Sequence, residues 1–188
     1  MEYIKSDKYK GGIISPVNGI VTKIEENVDL FGKVVKNDCL TSERIIDVEL
    51  PERGIKCNHI TIFLNKFNHH LCVNPYDIKS TSRHYCNGEM KEMVNNGELI
   101  ADNNGEYLNN DSLIIDYGKC YVVLTLDKYI SKYIYLGNKQ YSGGVLICKG
   151  SQCDIYVPAD KKFVCKIGDV VHVYQTIVEG EKEDIEPE

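Results

Sequence analysis

Short runs of alternating apolar and polar residues, many of them β-branched or aromatic, dominate this sequence and restrict it to a mainly β fold. Successive side chains of a strand point to opposite faces, so alternation over four to eight residues predicts strands. Turn sequences such as Asn96-Gly97 and Ser142-Gly143-Gly144 separate the runs. The predicted strands are Gly19–Ile24, Ile45–Leu50, His59–Asn65, Cys120–Leu126, Val145–Cys148 and Asp154–Val157. A short helix is predicted at Asp127–Tyr135.

Two segments have the pattern of a small strand–turn–strand unit. The first is Ser15–Val21, and the second is Phe163–Val171 running into Tyr174–Ile177, with a Gly-Asp turn between apolar stretches. This pattern is typical of lipoyl- and biotinyl-like β-sandwiches, which are barrel-sandwich hybrids, so we expect two such lobes sharing one domain. A carrier role would need a lysine at the first turn, where Asn18 stands instead.

Composition narrows the function classes. The chain of 188 residues is 43% hydrophobic and 27% charged, with a formal charge of −6, which disfavours nucleic-acid binding and simple electrostatic adhesion to anionic membranes. No apolar run approaches the roughly 20 residues of a membrane span, and no signal-peptide pattern begins the chain. We therefore expect a cytoplasmic protein, with any work on a lipid done from the membrane surface.

The cysteines and the C-terminal tail follow from the same reasoning. Eight cysteines without a CxxC pair, several of them inside apolar runs, are expected to be reduced core thiols. The acidic segment 179–188 is nearly free of apolar residues and is expected to be disordered, leaving 1–178 as the folded domain.

Neither a metal site nor a serine hydrolase explains the remaining polar residues. His69 and His70 are adjacent and would point to opposite faces of a strand, and no motif joins them to His59 or His84, so no metal site is expected. Ser151 does not lie in the G-x-S-x-G turn of a hydrolase.

Four segments become informative when they are taken together. They are Ser15-Pro16-Val17-Asn18-Gly19, Ile62–Pro75, Gly150–Pro158 and Gly168-Asp169-Val170-Val171. The first three resemble the S-P-x-D-G, I-F-M-S-x-F-D-V-H-V-N-R-A-P and G-S-R-V-D-L-Y-L-P segments of short, soluble phosphatidylserine decarboxylases of the archaeal and bacterial type. The fourth fits the end of that family's small subunit. The segments occur in family order across about residues 13 to 178.

The resemblance implies a protein that makes its own pyruvoyl cofactor. Decarboxylation of an amino acid leaves a carbanion that needs an electron sink, and a pyruvoyl ketone supplies one. In this family Ser151 would attack the carbonyl of Gly150, and the chain would end as a large subunit, 1–150, bound to its own small subunit, 151–188.

The resemblance also implies site residues and a substrate. His70 matches the family's active-site histidine and would act as acid or base, while Phe67 and Asn74 would contact the substrate. The implied substrate is a phospholipid at a membrane surface, phosphatidylserine, which would become phosphatidylethanolamine and carbon dioxide. A homo-oligomer is left open.

Two departures keep an alternative open. Asn18 occupies the catalytic position of the family aspartate, and an amide cannot accept a proton at neutral pH. The arginine of the family's second segment is missing from Cys72-Val73-Asn74-Pro75. The chain is therefore either an active decarboxylase or an inactive homologue that binds a lipid or acts as a structural or interaction protein.

Overall fold

A computed structural model describes residues 9–10, 12–30, 55–64, 71–73, 75, 82–86, 94–95, 98–99, 112–125, 134–135, 144–146 and 151–182. The regular structure within these ranges is entirely strand, which confirms the mainly β class. The strands are β1 (Tyr9–Lys10), β2 (Ile13–Ile14), β3 (Gly19–Asp29), β4 (Lys56–Leu64), β5 (Leu71–Val73), β6 (Ser82–Cys86), β7 (Val94–Asn95), β8 (Glu98–Leu99), β9 (Ser112–Asp116), β10 (Tyr121–Thr125), β11 (Ile134–Tyr135), β12 (Gly144–Leu146), β13 (Ser151–Pro158), β14 (Val170–Val171), β15 (Thr176–Val178) and β16 (Glu181–Lys182).

A seven-stranded antiparallel sheet in the order β14-β3-β4-β13-β10-β9-β6 forms the centre of the fold. Strands β4 and β13 pair along their length, from Ser151 opposite Leu64 to Pro158 opposite Cys57. Strand β3 follows β4 through two register shifts, and Asn27 lies near the second with a positive φ of 56°. Asparagine tolerates this conformation better than most residues, which suits it to an irregular strand position.

One face of the central sheet carries the hydrophobic core. On β4 and β13 every second residue belongs to it, and these residues are at most 1% exposed. They are Ile60, Ile62, Leu64, Cys153, Ile155 and Val157. The intervening residues, on the other face, include polar side chains that are also buried. Strands buried on both faces are the reason why β4 contains a nearly continuous buried run.

Smaller sheets complete the described part of the chain. Strands β11, β12 and β5 form a three-stranded sheet, and three two-stranded sheets pair β1 with β16, β2 with β15, and β7 with β8. Of the strand–turn–strand unit predicted at Ser15–Val21, the turn and the following strand β3 are present, while the strand before the turn, β2, lies just ahead of the predicted range at Ile13–Ile14.

The structure corrects the bounds of two predicted segments. The helix predicted over Asp127–Tyr135 is wrong at its end, because Ile134–Tyr135 pair with β12 as a strand; residues 127–133 lie outside the described residues. Glu181–Lys182 pair with Tyr9–Lys10, so the tail expected to be disordered begins no earlier than residue 183.

Other expectations stay predictions. The division into two lipoyl-like lobes and into subunits 1–150 and 151–188 is one of them, and the strand predicted at Ile45–Leu50 lies outside the described residues. Among the described residues, no helix has the length and hydrophobicity needed to span a bilayer.

Candidate active site

Ser151, the predicted reactive residue, is the first residue of β13 and pairs with Leu64 at the end of β4. Asn18 lies directly before β3, whose Ile20 pairs with Phe63 on the other side of β4. The two positions therefore flank the same end of β4. At about 4.8 Å between neighbouring strands, the backbones of β3 and β13 are roughly 10 Å apart.

The turn that holds Asn18 is fixed by hydrogen bonds. The backbone N–H of Val173 donates to Asn18 Oδ1 at 2.8 Å, and the buried Ser15 hydroxyl donates to the Val17 carbonyl at 2.7 Å. A carboxylate at position 18 could accept the same bond from Val173. Asparagine lacks the carboxylate's ability to take up a proton.

Gly19 is required by close packing. A Cβ at this position would overlap the carbonyl oxygen of Phe63 and the side chain of Ile62. The backbone of β3 can thus approach β4 closely only because residue 19 has no side chain, which fixes where Asn18 enters the strand.

A second segment of the predicted site joins this turn. The N–H of Val73 in β5 donates to the Pro16 carbonyl at 2.8 Å, and the N–H of Ile14 donates to the Pro75 carbonyl at 2.8 Å. Strand β5 also pairs with β12, from Leu71 opposite Leu146 to Val73 opposite Gly144. His70, Phe67 and Asn74 are neighbours of β5 in the chain, and they lie outside the described residues, as does Gly150.

Beside Ser151, the second face of the central sheet holds a buried polar network. His59 Nε2 lies 2.8 Å from Asp154 Oδ1, and His59 Nδ1 lies 3.1 Å from Glu25 Oε2. The Thr61 hydroxyl donates to Asp154 Oδ1 at 2.6 Å, and the Gln152 amide donates to Asp154 Oδ2 at 2.7 Å. The network links β3, β4 and β13, and it reaches the residue that follows Ser151.

Its geometry fits a charged histidine. Both ring nitrogens of His59 face carboxylate oxygens, and an imidazolium can donate to both. Burial disfavours the charged ring, but the hydrogen bonds and charges of Asp154 and Glu25 outweigh burial, so the pKa of His59 is raised above 6.5. Tyr156 stacks on the ring at 4.4 Å between centroids and 7° between planes.

Glu25 responds in the opposite direction. Burial alone would raise its pKa, but the hydrogen bonds and positive charges of Lys23 and His59 lower the pKa of Glu25 below 4.5. The Lys23 ammonium lies 2.8 Å from Glu25 Oε1, with both side chains partly exposed. The charged side chains of the network thus extend from Lys23 at the protein surface to the buried Asp154.

The sequence pattern gave His59 a role only in the metal site that was not expected, and this network was not predicted. A signal was available, since Gln152 and Asp154 on one strand and His59 and Thr61 on another stand at alternate positions within apolar runs. Polar residues at that spacing mark one face of a strand. The partners could not be inferred, because they depend on the register of β4 with β13. Among the described residues no group of three histidine, cysteine or acidic side chains is arranged to hold a metal ion.

The predicted core thiols are confirmed for the five cysteines whose side chains are described. All five are buried, and none forms a disulfide. Burial raises the pKa of Cys57 to about 11 and that of Cys72 to about 12, with smaller contributions from nearby charges and thiols. Thiols with raised pKa values react poorly as nucleophiles, so these cysteines are structural.

The fold and the site define a class of protein, an antiparallel β protein with a reactive-serine candidate at the start of a central strand. This serine, Ser151, follows a glycine in the sequence, and the turn containing Asn18 and Gly19 lies at the same end of β4. The family model of phosphatidylserine decarboxylase matches residues 4–179. The chain belongs to the phosphatidylserine decarboxylase family, a family of carboxy-lyases in phospholipid metabolism. Comparison with curated proteins and with solved structures gives no match.

Proposed function

We propose that this protein is a pyruvoyl-dependent phosphatidylserine decarboxylase that cuts itself between Gly150 and Ser151. The observation that carries the proposal is the position of Ser151 at the start of β13, level with the end of β4 and with the Asn18 turn beyond it. The family match contains all of these segments. Ser151 therefore lies at an end of the sheet where segments distant in sequence meet.

Self-cleavage would proceed on the chain's own atoms. The Ser151 hydroxyl adds to the Gly150 carbonyl carbon, the peptide C–N bond breaks, and an ester replaces it with the amine of residue 151 released. Elimination then expels the Gly150 carboxylate and leaves a dehydroalanine. Addition of water and loss of ammonia leave a ketone at the new terminus of residue 151. When formed, this pyruvoyl group supplies the electron sink for decarboxylation.

The neighbouring residues would bind substrate and handle protons. His70, which precedes β5 directly, is proposed to orient the substrate carboxylate or to protonate the product carbon. Phe67 and Asn74 are proposed substrate contacts. Strand β5, which neighbours these residues in the chain, is bonded to Pro16 and to β12, and this contact of β5 with the Asn18 turn supports the proposal.

Asn18 sets the speed of the first step. With no carboxylate at this position, general-base assistance is lost, and such a loss slows a reaction by about 10²–10⁴-fold. A single cleavage event per molecule can still complete over hours at that cost. We therefore propose slow maturation, with work on phosphatidylserine done by a cytoplasmic protein at the membrane surface.

The intact mass of the purified full-length chain tests the proposal. Wild type is expected to yield fragments 1–150 and 151–188 during prolonged incubation, the smaller one blocked by a pyruvoyl group. Ser151→Ala should remain whole. Asn18→Asp should cut faster, and because its carboxylate can accept the same bond from Val173, the turn should keep its position.

Matured protein should then release carbon dioxide from phosphatidylserine vesicles, with free serine as the control substrate. An uncut wild-type chain with an uncut Asn18→Asp variant would contradict the proposal. It would leave the second candidate, an inactive homologue that binds a lipid or a partner, which is favoured by the amide at position 18 and by the arginine missing from Cys72–Pro75.

A further inference from the structure

We propose that Glu25, His59 and Asp154, acting through Gln152, form a positioning network that holds the start of β13 and so aligns Ser151 for its attack on Gly150. The inference rests on the proposed function, because it takes Ser151 as the reactive residue. None of these four residues belongs to the site predicted from the family segments.

The link to Ser151 is short and direct. Gln152 follows Ser151 in the chain, and its side-chain amide donates to Asp154 Oδ2 two residues further along the same face of β13. Gln152 is 2% exposed and Asp154 is 0% exposed. Water therefore does not compete for this bond. The first side chain after Ser151, that of Gln152, is held by one carboxylate.

The carboxylate is itself held from the neighbouring strands. Thr61 and His59, both on β4, contact Asp154 Oδ1 at 2.6 and 2.8 Å, and His59 contacts Glu25 on β3. A restraint on Asp154 is thus a restraint on the position of β13 relative to two other strands. Packing of the apolar face alone would supply no such directional contact.

The network restrains β13 against movement along its own length. Slippage of β13 against β4 would break the diagonal contact between His59 and Asp154 and the stacking of Tyr156 on His59. Charge-assisted hydrogen bonds depend on distance and angle more strongly than apolar contacts do. The network therefore opposes small displacements of β13 to which apolar contacts are less sensitive.

Small displacements are costly for a reaction within the backbone. A misplacement of about 1 Å can slow an oriented reaction by about 10²-fold. Ser151 and the carbonyl it attacks belong to adjacent residues, so the geometry of attack is set by the backbone at the start of β13. Loosening Gln152 should slow ester formation even though Gln152 touches no reacting atom.

The first arm of the test measures cleavage of the full-length chain. Gln152→Met keeps the length of the side chain and removes its donor, and it should slow the appearance of fragment 151–188 by about 10-fold or more. The matched control is Ile155→Val, on the same strand but on the apolar face, which should cut within about twofold of wild type. Hydroxylamine, which cleaves the ester, should trap less ester in Gln152→Met than in the control.

The comparison is made at a temperature where both variants are fully folded. A merely structural role of Gln152 would lower the melting temperature without changing the cleavage rate under those conditions. A Gln152→Met chain that cuts as fast as the Ile155→Val control would overturn the positioning role.

The second arm does not depend on cleavage. In uncut chains carrying Ser151→Ala, amide hydrogen exchange of residues 151–154 should accelerate in Gln152→Met and in His59→Gln, and it should not accelerate in Ile155→Val. Equal exchange in all three variants would overturn the inference, even if wild type cuts. Conversely, a wild-type chain that never cuts would defeat the proposed function, while the exchange result would still decide whether the network holds this strand.

Discussion

The two faces of strands β4 and β13 are buried to the same extent, but different interactions hold them. On one face Ile62 and Ile155 pack in an apolar core and are completely buried. On the other face His59 and Asp154, at 2% and 0% exposure, form a charged hydrogen-bonded network. Burial alone therefore says little about what a residue contributes in this sheet.

The difference teaches which face is sensitive to which change. An apolar face loses free energy in proportion to the atoms removed and the cavity that remains. A buried charged network loses much more when one partner is removed, because the remaining groups stay buried without a counterpart. The following variants test this contrast, beginning with the largest effect.

Asp154→Ala should have the largest effect. It leaves His59, Thr61 and Gln152 without their common acceptor, and removing one partner of a buried pair costs about 3–5 kcal/mol. The free energy of unfolding from urea titration measures the loss. A cost of about 1 kcal/mol or less would show that the polar face is not held by Asp154.

His59→Gln should cost about 1.5–3 kcal/mol near pH 6, because hydrogen bonds to charged groups contribute about that much. The pKa of His59 is raised in the folded state, so its stabilisation is complete below pH 6.5 and is lost as the pH rises through the folded-state value. The pKa of Glu25 is lowered, so its contribution is complete above pH 4.5 and is lost as the pH falls through the folded-state value.

Both contributions are therefore complete between pH 4.5 and 6.5. Urea titrations of wild type and His59→Gln across the pH range check this window, and the difference between the two proteins should shrink in alkaline solution. A difference that stays constant with pH would contradict a charged His59.

Ile155→Val represents the apolar face and should cost about 0.5–1.5 kcal/mol through one lost methylene and a small cavity. The same urea titration measures it, and the cost should not vary with pH, since no charge is involved. A loss as large as that of Asp154→Ala would erase the contrast between the faces.

Lys23→Ala should have the smallest effect. The Lys23–Glu25 pair is at the surface, with side chains 55% and 36% exposed, and such pairs contribute about 0–1 kcal/mol. The remaining contribution should fall further in high salt, which screens exposed charges. A salt-insensitive loss above 1 kcal/mol would place Lys23 within the buried network.

The apolar face and the family segments could be predicted from the sequence more readily than the polar face could. Ile60 and Ile62 on β4, and likewise Ile155 and Val157 on β13, stand at alternate positions, and this period is set by local backbone geometry alone. The Ser15–Gly19 turn was likewise predictable from its proline, asparagine and glycine. Ile134–Tyr135 were misassigned to a helix because their pairing with β12 is not visible in the local pattern.

The candidate site was predictable as a set of residues but not as an arrangement. Segment order indicated Asn18 and Ser151, while their common position at the end of β4 depends on pairings between residues far apart in the chain. The contact of His59 with Asp154 spans 95 positions in sequence and follows from the same register. Non-local pairing of this kind has no local signal.

The place of β13 between β4 and β10 has a consequence for any molecule cut before Ser151. The strand pairs with eight residues of β4 and five of β10, so the smaller piece would stay attached through backbone bonds after the covalent link is gone. Unfolding of the cut molecule would then separate two polypeptides. Its melting temperature would rise with protein concentration, whereas that of an uncut chain that unfolds as a single polypeptide would not.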